Sequence, residues 1–291
     1  MNIKLVNKKF NIPDFAKYLN IDNSKDEDVL IVLYDDKSKV PLKSQPVKID
    51  FYLLALKLDF DKNMNYGQTD FDNAESLLYF DAPNNSIEWD LEKPMTGYNI
   101  LISSNYFDNY AKRYSFMNYN SHEALFVKDE EKVILLDLFE KAYTEYSSAQ
   151  FSKEIITSYA NLILTYIEKY YKRQFDTRSL LYNNVVEDFR ENLESYFNDT
   201  TDIKKLPTVS YFAKKANLSS NYFGDVIKHF TGESAQNYIQ HYILQIAKTK
   251  LKQSSLSVSE IAYSLGFDYP TYFTRFFKKE VGVTPTVFRK Q

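Results

Sequence analysis

Between Val209 and Arg289 the chain contains the same unit twice. The first copy runs Val209-Ser210-Tyr211-Phe212-Ala213, then Tyr222-Phe223, Lys228 and Gly232. The second runs Val258-Ser259-Glu260-Ile261-Ala262, then Tyr272-Phe273, Lys278 and Gly282. The offset is 49 residues in the first half of the unit and 50 in the second. A repeat of this period that buries apolar faces at helical spacing restricts the region to paired helices, each joined by a tight turn.

The spacing predicts two helices per copy. In copy one, Phe212, Ala213 and Ala216 mark an inward face. Ser219 can cap a second helix whose apolar stripe is Tyr222, Phe223, Val226, Ile227 and Phe230. In copy two, Ser257 with Glu260 is a capping box, Ile261, Ala262 and Leu265 face inward, and Gly266 supplies the turn. Tyr272, Phe273, Phe276 and Phe277 are then expected to pack inward, and Thr284-Pro285 reads as a further helix start. Between the copies, Ser234 to Gln253 carries Tyr238, Ile239, Tyr242, Ile243, Ile246, Ala247 and Leu251 on one face. A helix of about 18 residues is roughly 27 Å long. That is comparable to one DNA turn of about 34 Å, so the rod could hold two reading helices one turn apart.

Val209 to Arg289 resembles the DNA-binding domain of AraC/XylS-type transcription regulators. The resemblance rests on Ile261-Ala262, Gly266-Phe267, Tyr272-Phe273, Arg275, Phe277-Lys278-Lys279, Gly282, Thr284-Pro285 and Phe288-Arg289. It covers roughly the last third of the chain. Three departures stand out: Phe288 in place of a tyrosine, Ile243 where the family often has arginine, and Gly224-Asp225 where many members carry long base-reading side chains. The resemblance implies binding to double-stranded DNA, a homodimer, a possible small-molecule effector and contact with RNA polymerase. It also implies that an effector would shift the disposition of the DNA-binding halves.

Charge agrees with this division. From residue 208 onward 11 Lys/Arg stand against 5 Asp/Glu, and before it 25 stand against 34. A basic end on an acidic body fits a DNA-binding module joined to something else. The chain has no cysteine, which excludes disulfides and thiolate metal sites. Met1 to Phe15 lacks an apolar run of signal-peptide type. The uncharged stretch Ile155 to Ile167 is too short to cross a bilayer. The expected location is therefore cytoplasmic, with no membrane partner.

Residues 1 to about 120 read mostly as β. Strands are expected at Val29–Tyr34, Ile49–Phe60, Ser76–Phe80, Ile87–Leu91 and Tyr98–Ile102, with a turn-rich gap from Asp61 to Asn73. Such spacing suggests a small barrel or jelly roll, similar to the cupin-like sensor half of many AraC-type regulators. The three histidines, His122, His229 and His241, lie off the expected strands, so no metal site of the cupin kind and no cofactor is expected. No phosphate-binding loop, dinucleotide fingerprint or nucleophile elbow is present, and no catalytic residue is assigned. Phe51, Tyr52, Phe60, Tyr79, Phe80 and Trp89 are either core filler or the lining of a ligand pocket.

Helical spacing returns at Asp129–Tyr146 (Val133, Leu136, Phe139 or Glu140, Tyr143) and Phe151–Tyr171 (Ile155, Ile156, Tyr159, Leu162, Ile163, Tyr166, Ile167, Tyr170). These helices either pack only on their own barrel or also form a dimer interface. Leu180 to Phe197 reads as a third helix, and Asn198 to Pro207 as a hinge.

The expected architecture is thus α+β and multidomain. Residues 1–125 form a cupin-like β domain, 126–178 a helical connector, and 179–291 an all-α DNA-binding domain. Within the last, one helix-turn-helix spans 208–231, a linking helix 234–253, and a second helix-turn-helix 257–281. Base contacts are expected from Asn221, Asp225, Thr271, Thr274 and Arg275. For Asp225, a local helix-stabilising role is an equal reading. Ser219, Lys228, Lys278, Lys279 and Arg289 are expected at phosphates. The alternative to an effector-responsive regulator is a ligand-independent one whose barrel only dimerises or binds another protein. A third reading, an enzymatic barrel on a DNA tether, would need an ordered metal.

Overall fold

The computed structural model describes residues 9–21, 25–35, 39–60, 66–70, 72, 74–198 and 205–291. The chain divides into two compact units, Met1–Arg178 and Ser179–Gln291. Among the described residues no helix is long and apolar enough to cross a membrane.

The first unit opens with β1 (Lys9–Phe10), α1 (Ile12–Tyr18), β2 (Val29–Tyr34), β3 (Val47–Ile49) and β4 (Phe51–Asp59). It continues with β5 (Ser76–Asp81), β6 (Ser86–Ile87), β7 (Thr96–Ser103), α2 (Ser104–Ala111) and β8 (Leu125–Val127). Two long helices follow, α3 (Asp129–Ser147) and α4 (Lys153–Thr177). The strands form a five-stranded antiparallel sheet in the order β2-β7-β4-β5-β8 and a three-stranded sheet in the order β1-β3-β6.

The two sheets share one bent hairpin. At Asp50 the chain leaves β3 and enters β4, and its partner passes from β5 to β6 through a turn in which Asn84 takes φ 80°. Asn84 N–H donates to the Ile49 carbonyl at 2.8 Å, and Ile49 N–H to the Asn85 carbonyl at 3.0 Å, which holds the bend. The expected closed barrel is therefore not what the described residues form. The bend hands the hairpin from one sheet to the other, and the edge strands β2 and β8 do not pair.

β4 is buried from Phe51 through Lys57 without alternation, because both sheet faces are covered. α2, α3 and α4 pack against the sheet. Leu53 and Lys57 of β4, Tyr79 and Asp81 of β5 and Asn99 of β7 share the other face by register and line a cavity.

Several expectations change here. The strand expected at Ile87–Leu91 shrinks to Ser86–Ile87 and an isolated bridge between Lys43 and Asp90, with the Trp89 indole donating to the Pro41 carbonyl at 2.8 Å. α1 begins at a proline-bearing first turn capped by Asn11, inside a stretch read as β. Most of the gap from 61 to 73 lies outside the described residues. On α3 the buried stripe is Leu135, Leu138, Phe139, Ala142 and Tyr146, and Val133 is 70% exposed. Ile155 and Leu162 of α4 are likewise exposed. α4 runs past its expected end, because Gln174 is wholly buried and its side-chain amide satisfies β8: it accepts from Phe126 N–H at 2.9 Å and donates to the Ala124 carbonyl at 3.1 Å.

The second unit is all helical: α5 (Ser179–Asn198), α6 (Val209–Lys215), α7 (Ser220–Thr231), α8 (Ala235–Gln253), α9 (Val258–Ser264), α10 (Pro270–Val281) and α11 (Pro285–Lys290). One core runs through both copies of the repeat, joining Phe212, Phe223 and Ile227 to Ile261, Phe273 and Phe277 through Ile239, Ile243 and Ala247 of α8. α5 contributes Val186, Phe189 and Leu193 to this core. It is thus part of the domain. Residues 199–204 of the expected hinge lie outside the described residues.

The caps follow the sequence. Ser219 accepts from Tyr222 N–H, Ser234 from Asn237 N–H and Thr284 from Val287 N–H, and Ser257 with Glu260 forms the capping box. The turn of copy two uses Gly266 at φ +87°, where a Cβ would lie 2.6 Å from the Lys205 backbone. In copy one Asn217 makes the same turn at φ 55°.

Tyr272 departs from expectation: it is 53% exposed, whereas Tyr222 is 1% exposed. The difference has a cause in α5. The Tyr182 hydroxyl hydrogen-bonds that of Tyr222 and covers it, while Tyr272 stacks edge-on against exposed Tyr269 at the solvent boundary.

Candidate nucleic-acid interface

α7 and α10 each contain 12 residues and each ends at a glycine in the left-handed region, Gly232 and Gly282. Each buries one side in the shared core, so the other side faces outward. On α7 the outward positions are Asn221, Gly224, Asp225 and Lys228; on α10 they are Thr271, Thr274, Arg275 and Lys278. The spacing i, i+3, i+4, i+7 places each set along one stripe. The 50-residue offset pairs Asn221 with Thr271, Gly224 with Thr274, Asp225 with Arg275 and Lys228 with Lys278. The two stripes share a shape and differ in charge at their centres.

Individual positions separate on closer inspection. Asn221, Thr271, Arg275, Lys228, Lys278 and Lys279 are exposed. Arg275 makes no hydrogen bond or ion pair among the described residues, so its five donors are available. Thr274 is half-buried, and its hydroxyl donates to the Pro270 carbonyl at 2.9 Å. Asp225 is half-buried. Ser219 caps α7 by accepting from Tyr222 N–H at 3.1 Å. Lys279 lies 3.5 Å from Glu280. Arg289, expected at a phosphate, has its guanidinium engaged on the carbonyls of Leu251 and Leu256. Tyr269, which was not singled out from the sequence, and Tyr272, which was expected to pack inward, are exposed on either side of Thr271.

The first unit holds a second candidate site. A cavity of about 900 Å³ lies between the cavity-facing side of the five-stranded sheet, α1, and the loops that carry Trp89 and His122. That volume is in the range of small-molecule pockets. Of the aromatic residues proposed as lining, Tyr79 and Trp89 are there and the others are not. Phe51 packs on Phe15, Tyr52 donates to Asp108 at 2.8 Å, Phe60 packs on Tyr66 and Phe126, and Phe80 packs on Phe116. Tyr52 and Phe80 point to the other side of the sheet, Phe60 lies beyond the end of β4, and Phe51, on the cavity side by register, is covered by Phe15.

The cavity also presents ionisable groups that sequence reasoning missed. Lys57 is 5% exposed, and burial lowers its ammonium pKa to about 8. Burial raises the Asp81 carboxyl to about 7, partly offset by the Asn85 amide at 3.2 Å. The Asn99 side-chain amide donates to the Tyr34 hydroxyl at 3.2 Å. The available signal was register: Lys57 and Asp81 occupy alternate positions, in step with Leu53, Ala55 and Leu77, on one face of strands that are otherwise mostly apolar.

Comparison with known proteins bears on the second unit. Residues 212–291 match the family described as "Helix-turn-helix domain". The chain is 40% identical over 76 residues to the uncharacterized transcriptional regulatory protein YesN of Bacillus subtilis, a match covering 25% of this chain and 21% of that protein. It is 31% identical over 83 residues to the HTH-type transcriptional activator RhaR of Cronobacter sakazakii, covering 28% of this chain and 29% of that one. The chain thus spans less than a third of the length of either relative. Among solved structures, the C-terminal domain of the two-component response regulator yesN from Fusobacterium nucleatum is 31% identical, with 36% of this chain and 98% of that chain covered and a TM-score of 0.33. The C-terminal domain of AraT, a response regulator from Geobacillus stearothermophilus, is 27% identical, with coverage of 36% and 84% and a TM-score of 0.33. With its two capped helix pairs on one core and this sequence match, the C-terminal unit of the chain is a helix-turn-helix domain of the AraC family.

Proposed function

We propose that the chain is a sequence-specific, DNA-binding transcription regulator whose helices α7 and α10 each lie in a major groove of one duplex. The observation that carries this is the pair of equal helices, fixed to one core, with matching outward stripes at Asn221/Asp225/Lys228 and Thr271/Arg275/Lys278. In this reading Asn221, Asp225, Thr271, Thr274 and Arg275 meet base edges, and Ser219, Lys228, Lys278 and Lys279 meet phosphates. α8, with 19 residues, is a rod of about 28 Å, comparable to one turn of DNA.

We assign residues 1–125 to a cupin-like sensor of a small molecule and 126–178 to a helical region that supports a homodimer. The exposed Val133, Ile134, Ile155 and Leu162 on α3 and α4 support the second assignment. A ligand-independent regulator would be better served by a filled interior, and the cavity of about 900 Å³ favours sensing. A cytoplasmic location, contact with RNA polymerase and the absence of a catalytic step complete the proposal by analogy with the family.

Selection of duplexes from a random library by the full chain tests the DNA reading. Enriched sequences should carry two blocks about one helical turn apart, with affinity falling steeply as salt rises. Salt-dependent binding with no enrichment over the input library would refute sequence-specific recognition.

A further inference from the structure

We propose that the N-terminal cavity takes a small organic carboxylate, whose anionic end is held by the Lys57 ammonium and the His122 imidazole. This rests on the sensor reading above and names its ligand class.

Lys57 is buried on the cavity-facing side of β4, and its one hydrogen bond is to the Tyr66 hydroxyl. The rings of Tyr66 and Tyr79 flank the ammonium, with centroids at 4.8 and 5.1 Å. No carboxylate lies within ion-pair distance of it among the described residues. Cation–π contacts return only part of what it costs to bury a charge, and a buried ammonium is ordinarily paired. Among the described residues the cavity therefore holds a cation without its anion.

His122 supplies the second group. Its Nε2 is buried and has no hydrogen-bond partner among the described residues. Its backbone sits at the Lys57 end: a Cβ on Gly67 would lie 1.6 Å from the His122 carbonyl oxygen, so the Tyr66-Gly67 segment that contacts Lys57 packs on the His122 main chain, and both residues line the same cavity. An ammonium at one end of a chamber is complementary to a carboxylate, and a turn of the His122 ring that opens its Nε2–H to the cavity supplies a second donor.

The opposite end has the opposite character. Asp81 pairs with Leu53 across the sheet and Lys57 with Leu77. That separation of four residues along the strand puts the two about 13 Å apart. Asp81 repels an anion and accepts from a hydroxyl or amine. The aromatic walls between them, Tyr34, Tyr119, Phe15 and Trp89, suit a planar body. The ligand is thus oriented, with its carboxylate toward Lys57 and a hydrogen-bond donor toward Asp81.

The test uses the full chain and calorimetric titration with 4-hydroxyphenylacetate, indole-3-acetate and benzoate, each against its neutral amide. At least one acid should bind, and its amide should bind roughly ten- to a hundredfold more weakly, the usual range for losing a hydrogen bond to a charged group. Lys57→Met should abolish this preference while keeping the native circular dichroism spectrum, since a thioether suits the buried site. His122→Gln should weaken acid binding and leave the amide unchanged. Equal binding of acid and amide, an unchanged acid preference in Lys57→Met, or no binding by any of the acids would overturn the proposal. DNA selection on the same preparation separates the two readings: enriched duplexes with no acid binding overturn the ligand class alone, and acid binding without enrichment overturns the DNA reading alone.

Discussion

The Arg289 Nη2 donates to the carbonyl oxygen of Leu256 at 2.6 Å, and its Nε reaches the carbonyl oxygen of Leu251 at 3.2 Å. Leu251 lies in the last turn of α8 and Leu256 in the connection to α9. One guanidinium thereby ties the last helix to the exit of the linking helix, where carbonyls lack intrahelical partners. Arg289→Ala should lower the stability of the C-terminal unit by about 1–3 kcal/mol, as two charge-assisted bonds are lost. The salt slope of DNA binding should stay as it was. Urea unfolding followed by circular dichroism measures the first; anisotropy titrations across salt measure the second. A shallower slope at unchanged stability would return Arg289 to a phosphate.

Arg275 and Lys278 should separate base reading from positioning. Arg275→Ala should relax preference at one base pair and cost about 1–3 kcal/mol on the selected duplex. Lys278→Ala should weaken all duplexes about equally and reduce the salt slope by about 1. Binding to a set of single-base variants distinguishes these outcomes. Uniform weakening by Arg275→Ala would place it on the backbone.

Arg178, at the end of the first unit, pairs with Asp72 at 2.7 Å, and both side chains are almost wholly buried. It also donates to the Gly67 carbonyl at 3.2 Å. Removing one member strands the other charge. Arg178→Leu should therefore destabilise this unit by about 3–5 kcal/mol. Trp89, the single tryptophan of the chain, lies in the same unit and reports its unfolding by fluorescence. A loss below about 1 kcal/mol would mean that water reaches the pair.

The two buried cavity groups give the first unit a pH dependence of calculable sign. Burial raises the Asp81 pKa from 3.8 to about 7. Between those values the folded chain holds a proton that the unfolded chain has released, so stability falls as pH rises through this window. Asp81→Asn should flatten that slope. Lys57 is lowered from 10.5 to about 8. Between these values the unfolded chain binds more protons, and stability recovers as pH rises. Lys57→Met should stabilise the unit at pH near 7, with a gain that shrinks toward pH 10. Trp89-monitored urea melts across pH test both, and a Lys57→Met variant less stable than the parent at neutral pH would contradict the second.

Much of the C-terminal unit was legible because its determinants are local. Ser219, Ser234, Ser257 and Thr284 cap the helices they precede, and the glycines at 232, 266 and 282 take the left-handed conformation. Tyr272 was misread because its counterpart Tyr222 is buried by Tyr182 of α5, a residue 40 positions away with no equivalent in the second copy. The turn of the first copy was expected, but the residue that makes it, Asn217, was not named, since asparagine enters the left-handed region less often than glycine. The strands at 29–34 and 76–81 were readable from apolar runs. The short β1 and β8 were not, because two or three residues carry no period.

The amino-acid sequence alone determined that two like helix pairs share a linking rod, and which side of α7 and α10 is buried, because helical period and capping chemistry act within a few residues. Only the tertiary structure decided that the N-terminal strands form two sheets, that Arg289 turns onto backbone carbonyls, and that Lys57, Asp81 and His122 meet around one cavity. Those outcomes depend on strand pairing and on packing between residues far apart in the chain, where no local pattern records which neighbour will arrive.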